Sequence, residues 1–111
     1  MNLKVSIIVP VYNTAKYLEE CIKSLERIDF ESYEVLFVDN CSNDGSYQIL
    51  KKLKNKNFRI LRNKKNYGQS YSLNKAIKNS NSPYIAIMDS DDVCLPNRIK
   101  DSFNFLEKNP D

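Results

Sequence analysis

Four short apolar runs, Val5-Ser6-Ile7-Ile8-Val9, Val35-Leu36-Phe37-Val38, Phe58-Arg59-Ile60-Leu61 and Tyr84-Ile85-Ala86-Ile87-Met88, alternate along the chain with stretches of helical periodicity. Runs of this length, rich in β-branched and aromatic residues, read as buried strands. Between the first two, Leu18, Cys21, Ile22, Leu25 and Ile28 mark one apolar helix face. Ile49, Leu50 and Leu53 suggest a second helix, and Leu73, Ala76 and Ile77 a third, with Gly68 and Ser70 as its starting punctuation. Pro96 at a first helical position, followed by Ile99, Phe103 and Leu106, gives a fourth. Strict alternation of strands and helices predicts an α/β fold: a doubly wound, mostly parallel sheet with helices on both faces. The expected strand order is 3-2-1-4, as in one mononucleotide-binding half of such folds. Ligands then bind in the crevice at the carboxyl ends of the strands, where the order reverses. Those ends carry Tyr12 and Asn13, Asp39 and Asn40, and the tetrapeptide Asp89-Ser90-Asp91-Asp92.

The tetrapeptide bears two readings. Three carboxylates within four residues at the end of a buried strand repel one another unless they share a cation. Mg²⁺ or Mn²⁺, which prefer oxygen ligands, commonly bridge such groups to a phosphate-bearing substrate. The alternative is a solvated acidic turn preceding the helix that Pro96 opens, since acidic residues sit well before helix N-termini. The two glycines, Gly45 and Gly68, are too few for a Gly-rich phosphate loop, so a phosphate here needs a metal on carboxylates.

A chain of 111 residues is one domain, spanning 1–111, and small for an enzyme that must hold two substrates. Hydrophobic content of 41% and charged content of 28% fit a globular protein, and no apolar stretch approaches the ~20 residues of a membrane span. The first strand begins within a few residues of the N-terminus, so no signal peptide is expected. The expected location is the cytoplasm, with access to the inner face of a membrane through partners. A net charge of +3 does not point to nucleic acid, and the lysines and arginines between Lys51 and Lys65 read as a solvated face. Cys21, Cys41 and Cys94 are odd in number and widely spaced, which indicates reduced thiols. With no histidine, Ser-His and Cys-His catalysis are excluded within this chain, as are the usual zinc ligand sets.

Four segments together carry a resemblance: residues 5–13, ending Pro10-Val11-Tyr12-Asn13; Val38-Asp39-Asn40-Cys41-Ser42-Asn43-Asp44-Gly45-Ser46; Asn66-Tyr67-Gly68 with Asn74; and Asp89-Ser90-Asp91-Asp92 with Pro96 and Arg98. In this order and at these strand ends they resemble the N-terminal part of a family 2 glycosyltransferase of the GT-A fold, over essentially the whole chain. The resemblance implies a nucleotide-sugar-binding domain, half of a full GT-A domain. It would bind a UDP-sugar through Mn²⁺ or Mg²⁺ for inverting transfer to an unknown glycan, lipid or protein acceptor, in polysaccharide or glycoconjugate synthesis. Tyr12 matches the aromatic that stacks on uracil, and Asp39 the carboxylate that accepts the ring N–H. Asn66 and Gly68 match a loop that closes against the base, and Pro10, Asn13 and Ser90 belong to the same set of nucleotide-sugar contacts. Asp91 matches the direct metal ligand, and Asp89 a residue that reaches the ribose, or the metal through water.

No catalytic residue is expected in this chain, because the family's general base lies well beyond the acidic motif. Cys41 and Leu73 depart from the family pattern. Ser42 and Asp44 read as helix-capping residues, and Pro10, taken by itself, as the end of strand 1. A second reading is a catalytically incomplete nucleotide-binding or oligomerisation module. A receiver-type signalling domain fits worse, since its paired carboxylates would follow strand 1. An open edge on strand 4, beside Ile85, Ile87 and Phe103, predicts a homo-oligomer.

Overall fold

A computed structural model describes residues 3–109; Met1, Asn2, Pro110 and Asp111 of the expected 1–111 domain lie outside the described residues. The elements alternate as expected: β1 (Val5–Val11), α1 (Ala15–Glu26), β2 (Tyr33–Asp39), α2 (Ser46–Lys51), β3 (Phe58–Arg62), α3 (Gln69–Asn79), β4 (Tyr84–Ile87) and α4 (Arg98–Lys108). The sheet has the order β3-β2-β1-β4, and every pairing is parallel. β1 is therefore central, with Ile8 opposite Leu36 on one side and Ile87 on the other.

The alternation of side chains across the pleat divides the core in two. Ile7, Val9, Val11, Val35 and Phe37 pack with Leu18, Cys21 and Leu25 of α1, Leu50 of α2, and Ile99 and Phe103 of α4. Ile8, Leu36 and Val38 face the other way, onto Ala76 and Leu73 of α3. The chain steps outward from β1 to β3 under α1 and α2, then returns past β2 and β1 under α3. Constant crossover handedness requires that returning helix to lie on the opposite face.

The element boundaries differ from expectation where tertiary pairing overrides local pattern. Pro10 does not end strand 1 but lies inside it, in register with Val38. Ile8 turns its carbonyl toward β4, accepting the Met88 N–H at 2.9 Å, so Pro10, two residues on, faces the same edge. β4 has ended by that level, and the missing N–H of Pro10 breaks no ladder bond. β2 begins at Tyr33, because the buried Glu34 is fully bonded: Ser6 Oγ–H donates to Oε2 at 2.6 Å and the Asn81 N–H at 2.8 Å. Its Oε1 pairs with Arg59 at 3.1 Å, and Arg59 also donates to the Asn79 carbonyl. Ile28 and Leu53 fall just beyond their helices and still join the core. Pro96 is not the first residue of α4. It lies in the preceding turn, where its carbonyl accepts the N–H of Asp29 from the α1–β2 connection at 2.9 Å, and Asn97 is the N-cap.

β4 is a short edge strand whose Ile85 and Ile87 are exposed, on the same side of the sheet as Ile8. This bare strip is the surface on which the expectation of self-association rests. Among the described residues no helix is long and apolar enough to cross a membrane.

Cys21 and Cys94 are buried in the larger core cluster, whereas Cys41 is only half-buried. Burial pushes the Cys21 thiol up to about 12, with the nearby Cys94 and the carboxylates of Asp92 and Asp91 adding to it. Burial likewise raises the Cys94 thiol. Since the thiolate is the nucleophile, Ellman's reagent at pH 8 should label Cys41 rapidly in the native chain, and Cys21 and Cys94 only once urea has unfolded it. Native labelling of Cys21 at the rate of Cys41 would contradict this packing.

Candidate functional site

The strands run parallel, so the loops after β1, β2 and β4 emerge side by side. The loop Tyr12-Asn13-Thr14 is tied to the loop after β2 by hydrogen bonds running in both directions. Asn13 takes a left-handed backbone at φ 51°, which asparagine tolerates. Its N–H donates to Ser42 Oγ at 2.9 Å, while its Oδ1 accepts the Asn43 N–H at 2.9 Å. Thr14 donates its N–H to Ser46 Oγ at 3.1 Å, and Ala15 donates to Asp44 Oδ2 at 3.0 Å. The first N–H groups of a helix lack intrahelical partners, and here a neighbouring loop supplies them. The expected capping role of Asp44 is thus found, on α1 as well as on the following helix α2, whose N-cap is Gly45. Asp44 Oδ1 accepts both the Ser46 hydroxyl at 2.6 Å and the Ser46 N–H at 3.0 Å. Burial raises the Asp44 carboxyl, but the bonds from the Ser46 hydroxyl and from the Ala15 and Ser46 N–H groups outweigh it and hold the group below its ordinary range.

Thr14 also reaches the acidic turn, its Oγ1 lying 2.7 Å from the Oγ of the buried Ser90. On either side of Ser90, Asp89 and Asp91 are exposed, and with Asp92 they bring carboxylate oxygens within 4.8 Å of one another. The Asp92 N–H closes the turn on the Asp89 carbonyl at 3.1 Å. An all-oxygen cluster of this kind fits a hard divalent cation, which would also relieve the repulsion among the three charges. Beside it opens a cleft of about 260 Å³, lined by Pro10, Val11, Tyr12, Thr14, Asn40, Gln69, Ser72, Asp89, Ser90 and Asp91. It occupies the β1/β4 switch point.

Of the residues singled out from sequence, Pro10, Tyr12, Asp89, Ser90 and Asp91 line this cleft, while Asn13, Asp39, Asn66 and Gly68 do not. Tyr12 is half-exposed at its rim rather than packed away. Asn13 commits its N–H and Oδ1 to the loop tie. Asp39 is fully buried, with Oδ2 accepting the Ser42 N–H at 3.2 Å and facing Arg62 at 3.5 Å. Its Oδ1 is buried and has no hydrogen-bond partner among the described residues. A buried carboxylate oxygen without a partner is costly. Asn66 Oδ1 accepts from Asn40 Nδ2 at 2.7 Å and from the Gly68 N–H at 2.9 Å, holding the 66–68 turn against the wall of the cleft.

Thr14, Gln69 and Ser72 were not picked out by sequence, and Asn40 only as a polar strand end. Asn40 is a hub: its Oδ1 accepts from Asn63 Nδ2 at 3.0 Å and from the Tyr67 N–H at 3.1 Å. The signal available for it was its place at the end of β2, beside Asp39. Ser72, bonded to Asn63 at 2.9 Å, gave none, because a serine in a helix reads as solvent-facing. Leu73, a departure from the family pattern, packs on the second core cluster, and Cys41 sits at φ 63° with its Sγ 3.5 Å from the Lys64 carbonyl.

Residues 6–111 match the family described as Glycosyl transferase family 2. An uncharacterized glycosyltransferase of Methanocaldococcus jannaschii, MJ1057, is 36% identical over 111 residues, covering 96% of this chain and 38% of that protein. The poly(ribitol-phosphate) beta-N-acetylglucosaminyltransferase TarS of Staphylococcus aureus is 36% identical over 110 residues, covering 96% of this chain and 19% of TarS. The chain thus spans well under half the length of these relatives. The crystal structure of TarS 1–349 with UDP-GlcNAc superposes with a TM-score of 0.90 at 35% identity, over 97% of this chain and 32% of that one. The mannosyltransferase PcManGT of Pyrobaculum calidifontis, in complex with GDP-Man and Mn²⁺, shares the fold with a TM-score of 0.88 at 22% identity, over 96% of this chain and 33% of that one.

The loop tie generates its own test. Asp44→Ala removes the cap of α1 and should cost about 0.5–2 kcal/mol at pH 7, toward the low end because Asp44 is exposed. A carboxyl with a depressed folded pKa stabilises above its unfolded value of about 3.9, and that stability disappears as pH falls through the lower folded value. Urea melts should therefore show the gap between wild type and Asp44→Ala at pH 7 shrinking below about pH 4. A gap that is constant down to pH 2 would mean that the charged form of Asp44 does not carry the cap.

Proposed function

This chain belongs to glycosyl transferase family 2, and on that basis we propose that it forms the donor-binding part of a glycosyltransferase, taking a UDP-sugar together with Mg²⁺ or Mn²⁺. The observation that carries the proposal is the meeting, at one cleft, of the half-exposed ring of Tyr12 and the clustered carboxylates of Asp89, Asp91 and Asp92.

In this reading Tyr12 offers a flat apolar face to the uracil ring, at little cost in rotamer entropy. Asp39, whose buried Oδ1 has no partner among the described residues, accepts the ring N–H. The 66–68 turn, anchored on Asn40, closes against the base. Pro10, Asn13 and Ser90 complete the donor contacts. Asp91 ligates the cation directly, Asp89 reaches the ribose or the cation through water, and Asp92 orients the other two. A divalent cation bound there screens the diphosphate and, as a Lewis acid, stabilises charge on the leaving nucleoside diphosphate.

Transfer itself is an inverting displacement. The acceptor oxygen forms a bond to the anomeric carbon as the bond to the phosphate oxygen breaks, and the electron pair leaves with the nucleoside diphosphate. The acceptor's proton goes to a base that we place outside residues 1–111, with the acceptor a glycan, lipid or protein. The role of this chain's residues is to hold the donor still and keep its anomeric carbon at the open mouth of the cleft.

Titration calorimetry tests the reading. UDP should bind with Mn²⁺ present and at least about tenfold more weakly in EDTA, because the diphosphate then meets unscreened carboxylates. Asp91→Asn should leave the circular dichroism spectrum unchanged and abolish the metal dependence. Equal affinity with and without EDTA would end the proposed role of Asp91.

A further inference from the structure

Asp39 and Arg62 are register partners at the ends of β2 and β3, so their side chains leave the sheet on the same face. Arg62 Nε lies 3.5 Å from Asp39 Oδ2, and the Ser42 N–H donates to that same oxygen at 3.2 Å. The Arg62 guanidinium also lies over the ring of Tyr47, 4.1 Å from its centroid. Tyr47 comes from the first turn of α2, which packs on this face of the sheet. The guanidinium is thus held from two directions, by a carboxylate at its edge and a ring at its face, and this fixes an otherwise mobile side chain.

For Asp39 the consequence is asymmetry. A free carboxylate rotates and offers two equivalent acceptor oxygens. This one is fully buried and has its charge balanced at Oδ2, while Oδ1 remains without a hydrogen-bond partner among the described residues. We infer that Arg62, stacked on Tyr47, is a positioning residue that fixes Asp39 by Oδ2 so that Oδ1 stands as a single charged acceptor, selecting a pyrimidine that carries a ring N–H over one that carries a lone pair there. The inference rests on the donor reading above and adds to it a source of base specificity outside the cleft lining. Uracil has the N–H, whereas cytosine is of equal size and presents an acceptor at the same atom, so it would face Oδ1 lone pair to lone pair. Without Arg62 the buried carboxylate loses its counter-charge. It is then free to turn and no longer presents one fixed acceptor to the base.

The test compares UDP and CDP, each with Mn²⁺, by titration calorimetry on the wild-type chain, Arg62→Met, Tyr47→Phe and Tyr47→Leu. Wild type should prefer UDP by at least about tenfold, the scale of a hydrogen bond to a charged group. Arg62→Met should bring the two affinities within about threefold, chiefly by weakening UDP. Tyr47→Phe keeps the ring and should keep the preference, and Tyr47→Leu should lower it severalfold. A merely structural role would lower UDP and CDP alike, and that result overturns the inference, as does an undiminished preference in Arg62→Met. Should Arg62→Met fail to fold by circular dichroism, Tyr47→Leu decides: an undiminished preference there is equally fatal. A wild-type chain that binds UDP and CDP equally rejects base selection by Asp39 and the inference with it, while leaving the metal-dependent diphosphate site standing. One that binds neither removes the donor reading itself.

Discussion

Parallel pairing of β1 on both of its edges is the constraint from which the remainder of the molecule follows. With β2 on one side and β4 on the other, the residues of β1 from Ile7 to Val9 are wholly enclosed. Such a strand cannot satisfy its backbone except through its neighbours, so its register with them is strongly specified. Parallel neighbours also deliver their carboxyl ends to the same edge of the sheet. At about 4.8 Å between strands, the ends of β2 and β4 are only about 10 Å apart across β1. That spacing suits a ligand the size of a nucleotide, and it brings Tyr12, Asp39 and Asp89 to one place although up to 77 positions separate them in the chain.

Where the strands end, apolar packing gives way to hydrogen bonding. Four of the connections between the segments after β1 and β2 join a backbone N–H of one to a side-chain oxygen of the other, through Asn13, Ser42, Asp44 and Ser46. Reciprocal ties of this kind hold the backbone that carries Tyr12 without occupying the ring itself. The acidic turn is attached more lightly, by the Thr14–Ser90 hydroxyl pair and its own closing bond. That turn gathers three exposed carboxylates, whose mutual repulsion a shared cation would relieve.

Two carboxylates buried in β2 show how the same chemistry can be fully satisfied at one end of the sheet and left partly open at the other. Glu34 and Asp39 each pair with an arginine of β3, Arg59 and Arg62 respectively. Glu34 fills both oxygens, with Ser6, Asn81 and Arg59 as donors, and so closes the end of the sheet away from the cleft. Asp39 fills one and leaves the other bare. The satisfied group is a fold element. The unsatisfied one leaves a buried acceptor without a partner among the described residues, at a cost to stability.

Apolar periodicity alone determined the number, type and order of the elements, since a period of two or 3.6 residues is a local property that the side chains themselves carry. The strand order 3-2-1-4 and the polar strand ends followed from alternation and crossover handedness, and the four motifs together named the family. Only the tertiary structure decided that Pro10 lies within β1, because this depended on where β4 stops. It alone decided that Asp44 caps α1 and that the buried Glu34 belongs to a strand, because each partner lies 25 or more positions away. The same holds for Asn40, Ser72 and Arg62. Each is a polar residue whose role depends on which atoms reach it across the sheet, and hydrogen bonding and ion pairing act over a few ångströms in space with no periodicity in sequence to announce them.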